Sequence, residues 1–273
     1  MSITLAMTGR TLRRGASGTL ALAVAIFLFE FVQPLVADSV GGGAGIAPLL
    51  EQLPPAFQAI IRTRPEFIAM SGLAGYLSLG LTHPIFYVLS SALLAALICR
   101  SIAGEYDSGT MQLALARPVA RGAVYVSRVV ASVVAIAVVV GVTVGGMLTG
   151  IAVGRPEGEV LGSHIAVTAA AIALLLWAIA GVALLLASLA ATTSQAVGWV
   201  TAFIVVSYVI DYLAGFWSVI APFDVISIHE YYHPAEALVT GALPGLDIAV
   251  LGVVGTLAGV AGSVIFRRRD LPS

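Results

Sequence analysis

The sequence predicts an all-α fold, a polytopic integral membrane protein with six transmembrane helices, on three observations. Charged residues make up 10% of the 273 and hydrophobic residues 59%, with a mean hydropathy of +1.04. A soluble domain carries roughly 25% charged residues, so this composition cannot cover a water-facing surface. The apolar residues also come in runs near the roughly 20 residues that cross a hydrocarbon core, and lipid-facing runs of this kind satisfy their backbone hydrogen bonds as helices. The alternating strands of a β-barrel are absent. Finally, arginine is concentrated in alternate loops, as the positive-inside rule requires of a multispan chain.

The six spans fall at about residues 19–37, 76–99, 126–153, 165–189, 196–216 and 247–266. The first follows Arg10, Arg13 and Arg14. A basic start before an apolar run also fits a secretory signal peptide, but Glu30, Gln33 and Pro34 interrupt the core and no clear small-x-small site follows, which predicts an uncleaved span. The fourth and fifth are separated only by Thr192, Thr193, Ser194 and Gln195, read as a tight hairpin. With the N-terminus cytosolic, ten arginines lie inside and only Arg62, Arg64 and Arg155 outside, so both termini are expected in the cytosol.

All thirteen basic residues are arginine. Without lysine there is no Walker A phosphate loop, so the chain is not itself a P-loop ATPase. The single cysteine, Cys99, excludes an internal disulfide and reads as a packing residue.

Two outer segments are apolar yet too broken to span. Leu49, Leu50, Leu53, Phe57, Ile60 and Ile61 recur at helical spacing between Pro54, Pro55 and Pro65, which predicts short interfacial helices or a packed outer loop. The stretch from Trp217 to Leu243 carries Trp217, Phe223, Tyr231 and Tyr232, aromatic residues suited to a membrane interface. Within it, His229-Glu230-Tyr231-Tyr232-His233 matches the H-E-x-x-H pattern of zinc proteases, which needs both histidines on one helical face. Pro234 opposes that geometry, so no metal site is expected. Gly15-Ala16-Ser17-Gly18 is similar to a rhomboid serine motif but precedes the first span, and reads as an arginine-rich linker. Gly141 and Gly145, Gly146, Gly150 and Gly154, and Gly255 and Gly259 form small-xxx-small ladders for close helix packing, within one subunit or between two. Glu30 and Asp211 are ionisable groups within spans and hence candidates for a translocation path.

The loop after the second span, Arg100 to Arg121, holds the most specific pattern. Gly109 can break the incoming helix, Thr110 can cap a new one and Pro118 stops it, leaving about two turns bracketed by charge. Ala103-Gly-Glu-Tyr-Asp-Ser-Gly-Thr110, Leu113 to Leu115 and Arg117-Pro-Val-Ala-Arg121 resemble, almost residue by residue, a motif of the type 2 ABC exporter permeases. Ala221-Pro-Phe223, Tyr231-Tyr-His-Pro-Ala235 and Phe266 to Leu271 resemble that family's last outer loop and tail, so the likeness runs over essentially the whole chain.

The resemblance implies a permease subunit of an ATP-driven exporter in a bacterial plasma membrane, paired with a second permease copy or paralogue. The short inner helix would be a cytosolic coupling helix docking on a separate ABC ATP-binding subunit, with Glu105, Tyr106, Gly109, Thr110, Leu113, Arg117, Pro118 and Arg121 as the coupling residues. Glu105 would pair with Arg100, Arg117, Arg121 or the ATPase. ATP and magnesium would be bound by the partner, leaving no cofactor in this chain, and no nucleic acid is expected. The competing readings are an intramembrane zinc metalloprotease using His229, Glu230 and His233, and a non-transporting membrane assembly subunit.

Overall fold

A computed structural model of the chain describes residues 3–39, 52, 71–115 and 119–269. Among them lie eleven α-helices: α1 (Ile3–Arg14), α2 (Ala16–Ser39), α3 (Gly72–Thr82), α4 (Pro84–Ser101), α5 (Ala103–Asp107), α6 (Thr110–Leu115), α7 (Arg121–Gly154), α8 (Gly162–Leu189), α9 (Thr193–Ala214), α10 (Pro234–Thr240) and α11 (Gly245–Arg268). A 3₁₀ turn, Ala221–Ile226, stands between α9 and α10. The outer segment at residues 49–65, with Arg62 and Arg64, and the loop residues Arg117 and Pro118 lie outside the described residues.

Six helices are long and apolar enough to span: Ala16–Ala37, Pro84–Asp107, Arg121–Gly154, Gly162–Leu189, Thr193–Ala214 and Gly245–Arg268. The second begins later than the apolar run does. Pro84 lacks an N–H and holds His83 extended (φ −69°, ψ 138°), so the run divides into α3 and α4, with His83 Nδ1 accepting from the Ile85 N–H at 3.2 Å. α3 is then free to turn and pack against α2, α4 and α10. At 34 residues, α7 is about 51 Å long, well beyond the roughly 30 Å core, so it projects into water.

Gly15 to Gly18 is not the linker expected of it, since only Gly15 turns and Ala16, Ser17 and Gly18 open α2, while the residues before it form the helix α1. Thr8 and Thr11 are buried and Met7 and Leu12 partly so, a one-sided pattern that lays α1 along α7, where the Thr8 hydroxyl donates to the Ser127 carbonyl at 3.2 Å. The hairpin between α8 and α9 is closed by reciprocal caps: the Gln195 N–H donates to Thr192 Oγ1 at 3.2 Å and the Ala191 N–H to Gln195 Oε1 at 2.7 Å.

The second and fourth spans form the interior, 67% and 56% buried, whereas the fifth and sixth are only 22% and 17% buried and present Trp199, Val205, Val206, Leu257 and Val260 outward. At the end opposite the arginine-rich one, Trp217, Phe223, Val225 and Ile226 are exposed, while Tyr232 turns inward and meets Tyr87 with ring centroids 5.9 Å apart.

Lipid offers apolar side chains the same environment as a neighbouring helix does, so close backbone approach carries the packing. A Cβ on Gly146, Gly150 or Gly154 would run into Phe27, Phe31, Pro34 or Leu35, which places three rungs of that ladder inside one subunit, between α7 and α2. α8 and α11 meet more closely still, since a Cβ on Gly181 would collide with the Gly255 carbonyl. Gly141 has nothing within 4 Å of its would-be Cβ. Gly181→Leu is therefore expected to destabilise the bundle by about 1–3 kcal/mol and Gly141→Leu to leave it unchanged, measured as thermal unfolding of the purified protein in one detergent.

Candidate functional site

The loop motif Ala103–Thr110 builds a compact joint at the arginine-rich end of the bundle. Ile102 interrupts the α4 helix (φ −113°, ψ −75°), α5 adds one turn, and Gly109 takes a left-handed conformation (φ 68°) that non-glycine residues reach only with strain. The Gly109 N–H donates to the Tyr106 carbonyl at 3.1 Å, and the Ser108 and Thr110 hydroxyls lie 2.9 Å apart. The chain then re-enters a helix, α6, of six residues, seated by the fully buried Met111 with Gln112 exposed. Leu113 belongs to α6, and its side chain lies outside the described residues.

Glu105 sits on the α5 turn with its side chain 9% exposed, and it faces the bundle. Arg128 Nη2 donates to Glu105 Oε2 at 2.8 Å, and Arg14 Nη1 to Oε1 at 3.3 Å. Among the described residues its partners are thus Arg14 and Arg128, not Arg100 or Arg121, which proximity in sequence favours. Arg128 is itself only 3% exposed, and its other two nitrogens donate as well: Nε to the Ser101 carbonyl at 3.1 Å and Nη1 to the Thr11 hydroxyl. One carboxylate therefore joins the α4–α5 bend to α1 and α7.

Asp107 joins the same bend to α9. Its Oδ2 accepts from the Thr193 N–H and hydroxyl, both at 3.1 Å, placing a negative charge on the positive end of that helix. Gly104 allows the approach, since a Cβ there would stand 3.1 Å from Thr193 Oγ1. Tyr106 joins it to the chain's end: the Arg269 guanidinium carbon lies 4.2 Å from the ring centre, and Phe266 meets the ring edge-on at 5.9 Å. Arg269 donates to the Ser188 carbonyl at 3.0 Å, and Arg121 to the carbonyls of Arg267 and Arg269. The bend thus touches α1, α7, α9 and the tail of α11.

Of the expected coupling residues, the structure brings Glu105, Tyr106, Gly109, Thr110 and Arg121 to this end, with Glu105 and Tyr106 turned inward. Sequence reasoning missed Arg14, Asp107 and Arg128. Arg128 had a readable signal, an arginine two turns into an otherwise apolar helix, which calls for a buried partner.

The two intramembrane carboxylates lie apart. Glu30 of α2 is enclosed, 1% exposed, where Gly146 of α7 passes its Cβ. Asp211, 5% exposed, is near the C-terminal end of α9, where its carboxylate and those of Asp224 and Glu230 lie within 4.8 Å of one another. This oxygen-only set differs in kind from the two-histidine zinc match. The His229–His233 stretch is not helical, and helix α10 begins only at Pro234. His229 Nδ1 lies 3.0 Å from the Ser207 hydroxyl and His233 Nδ1 2.8 Å from Asp247, so the two histidines serve different partners.

A search of curated proteins finds no match to the chain. The family model described as ABC-2 family transporter protein matches residues 16–271, nearly the whole sequence. With six apolar helices and a loop motif bound into their ends, the chain belongs to the ABC-2 family and is a membrane-spanning permease component of an ABC transporter.

Proposed function

We propose that this permease works in an ATP-driven exporter of a bacterial plasma membrane, pairs with a second permease, and receives force from a separate ATP-binding subunit through α6. The observation that carries the reading is the joint behind α6. A docking helix transmits displacement only if it is fixed in angle to the spans, and here one bend is tied by Glu105 to α1 and α7 and by Asp107 to α9. Gly109 and Met111 set the exit direction and the depth of α6. ATP and magnesium act on the partner, and ATP shifts the permease between access states only through different affinities for them. The exposed faces of the fifth and sixth spans leave room for a second permease, and Glu30 and Asp211 are the candidate polar groups of the path. Both termini and the Gly104–Gly109 bend face the cytosol in this reading, because the clustered arginines do.

Three outcomes are expected. Reporter fusions at Gly109 and after Ser273 score as cytosolic and one at Glu157 as external; the reverse pattern overturns the orientation. Gly109→Val, forced into a conformation that costs a β-branched residue about 1–2 kcal/mol, inserts normally but loses co-purification of the ATP-binding subunit or substrate-stimulated hydrolysis, whereas Arg155→Ala in an outer loop does neither. Glu105→Ala leaves Arg128 buried without its carboxylate and lowers stability by about 3–5 kcal/mol, and most of that returns when Arg128→Met is added. Thermal unfolding in detergent checks the pair.

A further inference from the structure

Beside the joint lies a cavity of about 390 Å³ between the α1–α2 turn and α4. Its rim carries Arg14, Thr19, Arg100 and the Glu105 carboxylate, and its walls are Ala21 and Leu22 of α2 and Leu93, Ala96 and Leu97 of α4. From Gly15 to Leu22 and from Arg100 to Leu93 is seven residues each, so both walls run about 10 Å from the charged rim into the apolar part of a span. Gly18, on the first turn of α2, also lines the cavity, and a Cβ there would meet nothing within 4 Å.

Charge decides the occupant. Glu105 is already matched by Arg128, which leaves Arg14 half satisfied at 3.3 Å and 49% exposed. Arg100 is exposed, and among the described residues no carboxylate pairs with it. The rim therefore sets two guanidiniums against one carboxylate that Arg128 already neutralises, a net cationic rim above a cleft lined by alanine and leucine. A small soluble anion would satisfy the rim but leave those walls uncovered, whereas a zwitterionic lipid would cover the walls but bring no net charge.

We propose that this cavity binds one anionic phospholipid from the leaflet at the arginine-rich end, its phosphate on Arg14 and Arg100 and one acyl chain along Leu22, Leu93, Ala96 and Leu97. The phosphate then shares Arg14 with Glu105, so the leaflet's charge bears on the joint behind α6. The site needs only the geometry of this chain and stands whether or not the proposed export role does.

The test is native mass spectrometry of the full chain in dodecyl maltoside, titrated with phosphatidylglycerol or with phosphatidylcholine of the same acyl chains. One phosphatidylglycerol per chain is expected, held at least about tenfold more tightly than phosphatidylcholine and not displaced by excess glycerol phosphate. Arg100→Gln, an exposed change, weakens it about tenfold. Ala96→Phe fills the cleft and abolishes it, and Arg13→Gln, outside the cavity, has no effect. Equal binding of the two lipids, displacement by glycerol phosphate, or unchanged binding in both Arg100→Gln and Ala96→Phe overturns the proposal. So does a dimer that Ala96→Phe dissociates without touching lipid binding, which would give the cavity to a second copy.

Discussion

Arg128 is 3% exposed two turns into α7, and a guanidinium taken out of water carries a desolvation penalty of several kcal/mol unless its donors and its charge are both met. The chain meets them with three helices at once: a carboxylate from α5, a carbonyl from the end of α4 and a hydroxyl from α1. Each contributes from its C-terminal turn, where the helix is about to end. The ion pair thus sets the register of the whole arginine-rich end. α1 lies along α7 because Thr11 must reach Arg128, and the α4–α5 bend has its angle because Glu105 must.

Across the membrane the constraint is of a different kind. Burying leucine between helices gains little over leaving it in lipid, and specificity comes from where backbones can touch. Gly146, Gly150 and Gly154 bring α7 onto α2, and Gly181 with Gly255 brings α8 onto α11. Polar contacts add direction: Tyr125 donates to the Gly259 carbonyl at 2.7 Å, and Trp177 to the Thr256 hydroxyl at 3.2 Å. The interior spans are fixed by contact and the polar ends by charge, so the two can be altered separately.

Run length alone locates six spans, because hydropathy is additive and lipid imposes a minimum length. It misreads the second because the hydropathy of Gly72–Thr82 outweighs the local signal of Pro84. It passes over α1 because a helix with one covered face has no apolar run, only Met7, Thr8, Thr11 and Leu12 at helical spacing. The loop motif is legible as a pattern, and Gly109 as a break. The assignment of partners is not, since Glu105 and Arg128 are separated by 23 positions and Asp107 and Thr193 by 86. Arg100 and Arg121 compete for Glu105 on paper, and the three-dimensional arrangement brings Arg14 and Arg128 to it instead. Likewise His229 and His233 look like a pair in one dimension, but an extended turn points them at different helices.

The 34-residue length of α7 makes it a lever. A rod of about 51 Å without an internal proline converts a tilt of about 10° into an end displacement of about 9 Å. Its glycine face is seated on α2, and α8 and α11 are locked at Gly181 and Gly255, so a tilt that keeps these contacts would move two arms, α7 with α2 and α8 with α11. Such a tilt would fall on the seams between the arms, and the long axis of α7 would carry a small rotation at Arg121 to its far end at Gly154.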